Sequence, residues 1–82
     1  MAYQVTQAEV RAWLESGPTT AEVDAVFDAL QVIVADPHDA GDPVPARRPT
    51  YVYGVPDTFW AITYTVVEQF RTVKIIGISL AP

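Results

Sequence analysis

Chemistry in this chain would have to come from a small number of groups. Asp36, His38, Asp39 and Asp42 fall in one short stretch, and an imidazole with three carboxylates is a donor set for a divalent cation. The calcium-loop spacing is absent, however, and prolines interrupt the stretch, so solvated acids at a helix end are the better reading. Arg47 and Arg48 form the one basic cluster, followed by Tyr51 and Tyr53. They could meet an acidic partner or a phosphate. The weightier alternative is a solvated pair offsetting Asp39 and Asp42. Arg71 and Lys74 flank a turn and read first as surface charges. His38 is the sole histidine, and in a proline-rich loop it has no defined base or orienter with which to build a triad. The four glycines are scattered, which leaves no phosphate-cradling loop. No catalytic set, metal site or cofactor is expected.

The elements that would position these groups are easier to read. Trp60, Ile62, Tyr64 and Val66 alternate with Ala61, Thr63, Thr65 and Val67, the period of a strand with one buried face. Glu68-Gln69 breaks the pattern, and Val73, Ile75, Ile76 and Ile78 carry a second strand, which makes a hairpin over 58–80. Thr50 to Val55 predicts a further strand with Tyr51 and Tyr53 on one face. Two helices precede it. Thr6 to Glu9 fits a capping box for a helix over 7–15, stopped by Ser16-Gly17-Pro18. Thr19 to Glu22 repeats the signal for a helix over 20–35, with Val23, Val26, Phe27, Leu30, Ile33 and Val34 as its apolar stripe. Asp36-Pro37 ends it, because the residue before proline is steered out of the helical region. The segment 36–49, with four of the seven prolines, is a loop within the domain rather than a linker. Tyr3 and Val5 could form a brief strand within the first five residues.

These elements predict one α+β domain over 1–82: two antiparallel helices on a three- or four-stranded antiparallel sheet. Ten acidic against five basic residues give a net charge of −5, which opposes broad contact with nucleic-acid phosphates. No apolar run reaches the roughly 20 residues of a membrane helix, and no secretory signal is visible, so a cytoplasmic protein is expected. The absence of cysteine leaves no disulfide framework.

The order helix, helix, Pro/Gly loop and three strands, with ALQVIVADP before the loop and WAITYTVVEQFRTVKIIGI after it, resembles the RelE/ParE superfamily of bacterial toxins. Trp60, Ile62, Tyr64, Val66, Arg71, Thr72, Val73, Ile75 and Ile78 fall on that family's strand pattern, over about residues 20 to 80. The resemblance implies a component of a type II toxin–antitoxin system. Its partner would be an antitoxin, and its target DNA gyrase or the ribosome. In the ribosome-dependent mRNA nucleases of the superfamily, Arg, Lys, His or Tyr side chains project from the open sheet face and the C-terminus. Here Ala61 stands where the strand carries its Arg, and Ser79-Leu80-Ala81-Pro82 stands where the last strand ends in Gly-His-Arg. A ParE-like mode, acting by protein contact, or a decayed toxin therefore fits better than an mRNA endonuclease, and a non-toxin interaction module is the third reading.

The expected contact surface comprises Arg47, Arg48, Arg71, Lys74, Ile76, Ile78 and Leu80. Its argument is the last strand, where strict alternation puts Ile76, Ile78 and Leu80 on one face and Val73 and Ile75 on the other. A sheet covered on one side alternates more cleanly, so an antitoxin or a second copy of the chain is expected to cover the far face. The competing reading is that the first five residues fold back and cover this strand within one chain.

Overall fold

A computed structural model of the protein describes residues 3–47 and 49–81. Arg48, Met1, Ala2 and Pro82 lie outside the described residues. In chain order the elements are β1 (Gln4–Val5), α1 (Ala8–Glu15), α2 (Thr20–Ala35), α3 (Pro37–Ala40), β2 (Asp42–Pro43), β3 (Thr50–Gly54), β4 (Trp60–Val67) and β5 (Thr72–Leu80). The strands form one sheet in the order β1-β5-β4-β3-β2. The architecture is α+β, as the sequence predicts. The sheet is larger than expected because two-residue strands extend each edge: β2 antiparallel to β3, and β1 parallel to β5.

α2 forms where its signals place it. The Thr19 hydroxyl accepts from the Glu22 amide and the Glu22 carboxylate accepts from the Thr19 amide, so both halves of the capping box are made. Val26, Ala29, Leu30 and Ile33 are buried. Phe27, expected on the same stripe, is 42% exposed: one residue on from Val26, it is turned about 100° around the helix, past the edge of the core.

At α1 the expected capping box is not made. Gln7 stands at the N-cap without a side-chain bond, and the Thr6 hydroxyl instead accepts the Ile75 amide at 2.9 Å. Strand β1 uses the adjoining backbone: the Gln4 amide donates to Arg71 and the Thr6 amide to Val73. An unpaired edge amide next to the core costs more than a free helix end in water, so the sheet takes the hydroxyl. The N-terminal residues thus cover the start of the β5 edge within the same chain. Gly17, with φ of +86°, ends α1 in the left-handed conformation that glycine adopts at no steric cost.

Between β4 and β5, Ile62 pairs with Ile78, Thr63 with Gly77, Tyr64 with Ile75 and Val66 with Val73. The register slips between Thr63 and Tyr64, which leaves Ile76 as an extra residue in β5. One inserted residue inverts the side-chain phase beyond it. The expected split of β5 is therefore corrected: Ile78 and Leu80 stand opposite Ile62 and Trp60, on the helix side with Val73 and Ile75. Ile78 packs against the core, and the strand has one apolar face rather than two.

The core lies between this face and the helices and contains Val10, Trp13, Val26, Ile33, Ile62, Tyr64, Val66, Val73 and Ile75. Trp13 and Trp60 meet edge to face at 5.5 Å, and the Trp60 indole donates to Glu22. Replacing Ile33, which is wholly buried, with alanine should cost about 2–5 kcal/mol. The same change at its half-exposed neighbour Val32 should stay within about 0.5 kcal/mol. Urea unfolding of the two variants measures the contrast.

Candidate functional site

The fold gathers dispersed polar side chains at the end of the sheet that carries the β4–β5 turn. Residues 68–70 make one turn of 3-10 helix, and Arg71 closes it with φ of +47°. The carboxylate of Glu68 is the centre. Its Oε1 accepts from the Tyr3 hydroxyl and lies 2.8 Å from His38 Nε2. His38 Nδ1 is 2.8 Å from the Tyr51 hydroxyl. Arg71 stacks over the Tyr3 ring at 4.0 Å, donates to its hydroxyl and lies 3.7 Å from Glu68 Oε2. The Tyr3 and His38 hydrogen bonds hold the Glu68 carboxyl below the usual carboxylate range, and the bond to Glu68 raises the Tyr3 phenol.

A second phenol anchors this network from below. Tyr64 is wholly buried in β4; its hydroxyl donates to the Pro37 carbonyl at 2.6 Å and accepts the Gly41 amide at 3.0 Å. Desolvation pushes it up to about 12, against a lowering by the Gly41 bond. Tyr51 stacks on Tyr64 with ring centres 5.5 Å apart. Gly41 has no room for a side chain, because a Cβ there would lie 2.7 Å from the Tyr64 hydroxyl and 3.0 Å from the Val52 carbonyl.

The network has the parts of an acid–base relay, an imidazole oriented by a carboxylate, but both imidazole nitrogens are engaged. No lone pair or N–H of His38 is left to face a substrate. What the arrangement does directly is tie β1, α3, β3 and the β4–β5 turn together. The partners of His38 come from 13 and 30 residues away. No local spacing carries that signal.

Of the residues expected at a contact surface, Arg71 is in the network. Arg47 is exposed between β2 and β3, Lys74 is exposed opposite Thr65, and Arg48 is outside the described residues. Ile76 at the bulge is 46% exposed and Leu80 64%, while Ile78 is half-buried. Ile78 and Leu80 share the helix side of β5. Asp36, His38, Asp39 and Asp42 are not gathered around a common point; among the described residues no group of three His, Asp or Glu side chains is placed to hold a metal ion.

The sheet face turned away from the helices has a distinct character. Thr50, Val52, Ala61, Thr63, Thr65, Gly77 and Ser79 share it, by register, with Lys74. The Thr50 and Thr65 hydroxyls are 3.1 Å apart across β3 and β4. Asp42 joins it through its pairing with Val52, and between Asp42 on β2 and Lys74 on β5 the face is a floor of small, uncharged side chains.

No known family profile matches the sequence. Two solved structures share the fold over 100% of this chain, each with a TM-score of 0.78. One is a chain of the intact E. coli RelBE toxin–antitoxin complex, 11% identical and covered to 99%. The other is the isolated E. coli RelE toxin, 12% identical and covered to 86%. The fold is therefore RelE-like. A curated mouse protein, the FIGNL1-interacting regulator of recombination and mitosis, is 36% identical over 66 residues, or 80% of this chain. The chain spans about 7% of that protein's length. Among the described residues no helix is long and apolar enough to cross a membrane.

Two titrations follow from this geometry. Because the folded state lowers the Glu68 pKa, its contribution is present above the unfolded value of about 4.3 and lost as pH falls through the lower folded one. Glu68→Gln should flatten that acid limb in urea midpoints measured against pH. Tyr64 is raised, so its contribution is full below about 10 and is lost as pH rises towards about 12. Tyr64→Phe should remove that alkaline limb and, by leaving the Gly41 amide unpaired, cost about 1–3 kcal/mol at neutral pH.

Proposed function

We propose that this chain is a toxin-like module of the RelE/ParE kind that acts through protein contact and is held by an antitoxin-like partner. The observation that carries this reading is the open sheet face. Cleaving RNA requires groups that orient the 2′-hydroxyl, stabilise the charged phosphorane and protonate the leaving oxygen. On this fold the face offers threonines, valine, alanine, glycine and serine, and among the described strand residues its charged groups are Lys74 on β5 and Asp42 on β2. These two lie three strand spacings apart, about 14 Å, too far to act as an acid–base pair on one phosphate. The net charge of −5 adds repulsion from ribosomal phosphates. The described polar network lies elsewhere, and its histidine is already committed on both nitrogens.

A second reading, a contact module with no toxin role, draws support from the mouse relative, whose name describes a protein that interacts with FIGNL1. Both readings make the chain a binding protein; they differ in what it binds.

Expressing the chain alone in a bacterial host and following growth together with mRNA integrity separates them. Growth arrest with intact mRNA, unchanged by Lys74→Ala, is the expected outcome. Rapid mRNA cleavage at defined codon positions overturns the contact reading in favour of an endonuclease, and unaffected growth shifts the weight to the non-toxin module.

A further inference from the structure

A groove of about 580 Å³ runs between α2 and the turn that leads into β4. It is separate from the polar network and from the open sheet face. Ala25, Ala29, Tyr53 and Pro56 are among its apolar lining. Ala21, Ala25 and Ala29 recur every fourth residue along one side of α2, so the wall there is low and another backbone can approach closely. Val32 continues that side and is 48% exposed, an apolar side chain that folding leaves uncovered.

Asp24 and Asp28 stand on one lip and Asp57 on the other. Glu22 also lines the groove, but its two oxygens are occupied by the Thr19 amide and the Trp60 indole. Among the described residues no lysine or arginine lines it. Carboxylates on both rims of an apolar floor focus a negative field into the groove, and the surrounding low-dielectric wall strengthens it.

We infer that this groove docks a basic amphipathic helix of a partner chain, its apolar seam on Ala25 and Ala29 and its lysines or arginines over Asp24, Asp28 and Asp57. The wall from Ala21 to Val32 is about 16 Å long, the span of three turns of a rod-shaped segment laid along α2. A second copy of this chain fits poorly, because its net charge of −5 would meet three carboxylates of the same sign. The inference rests on the contact reading only in requiring a partner chain; it adds the chemistry of the contacted segment.

The test uses the full chain, isotope-labelled for amide NMR, and a synthetic helical peptide with a Leu/Ala face flanked by lysines. A scrambled peptide of the same composition and a version with Glu for Lys are the controls. Saturable shifts centred on Ala25, Ala29 and Asp57, weakened by salt, are expected for the amphipathic peptide alone. Asp24→Asn, Asp28→Asn and Asp57→Asn combined should weaken binding roughly tenfold, three rim ion pairs at about 0.5 kcal/mol each. All three sites are exposed, and asparagine tolerates the left-handed conformation of Asp57, so the variant should keep its fold. Ala21→Trp, exposed on the groove wall, should block docking without changing charge.

Equal binding of the scrambled peptide would mean loose attraction to an acidic surface and overturns the site. So would shifts that map elsewhere, affinity unchanged in the triple variant, or groove shifts that grow with protein concentration alone, which would mark a second copy as the occupant. Growth arrest by a chain whose groove fails these tests would remove the docking site and leave the contact reading standing.

Discussion

A phenol hydroxyl buried beneath the short helix α3 holds together the end of this fold that carries the β4–β5 turn. Tyr64 lies in the middle of the central strand, where an unpaired hydroxyl would cost free energy, so the chain has to bring it partners. It does so by folding the segment after α2 down onto the sheet, with the Pro37 carbonyl and the Gly41 amide on one oxygen. Everything at that end follows from this closure. Pro37 starts α3, α3 sets His38 over Tyr51, and His38 reaches Glu68 in the turn. Gly41 is fixed by the same contact, since any Cβ would collide with the hydroxyl that the backbone came to meet.

The second constraint is the register slip at Ile76. Counting residues in pairs along 72–80 gives a strand with apolar groups on both sides, which invites a second protein to cover one of them. The bulge absorbs one residue, and the groups after it return to the helix side. The middle of the far face is then left to small uncharged residues, between Lys74 and Asp42. This division is why the two sides of the sheet differ so strongly in chemistry, with aromatic packing and the polar network on one and a threonine floor on the other.

What was legible in the sequence depended on the range of the interaction. The bounds of α2 follow from Thr19, Glu22 and Pro37, all signals within a few residues of the ends they set. The hairpin follows from the alternation of Trp60 to Val66 and the turn at Glu68. Thr6 shows the limit of such local rules: its spacing to Glu9 is that of a capping box, but a strand amide 69 residues away claims its hydroxyl. The network around Glu68 was not legible for the same reason, because Tyr3, His38 and Glu68 meet only after the sheet exists. Nor was the groove along α2, since Asp57 comes to face Asp24 and Asp28 only through the turn that precedes β4.

Strand β1 has a kinetic consequence. The hairpin β4–β5 and its neighbour β3 are joined by short connections, and their pairing closes small loops. Docking β1 against β5 joins the two ends of the chain, and the closure entropy of that long loop is repaid by two residue pairs, one threonine bond and the Tyr3 contacts. The N-terminal strap should therefore settle late in folding and be among the first parts to open. Each such opening bares the Val73 and Ile75 stretch of the β5 edge while the rest of the sheet stays intact, a sub-global state that amide hydrogen exchange would register as early loss of protection at Ile75.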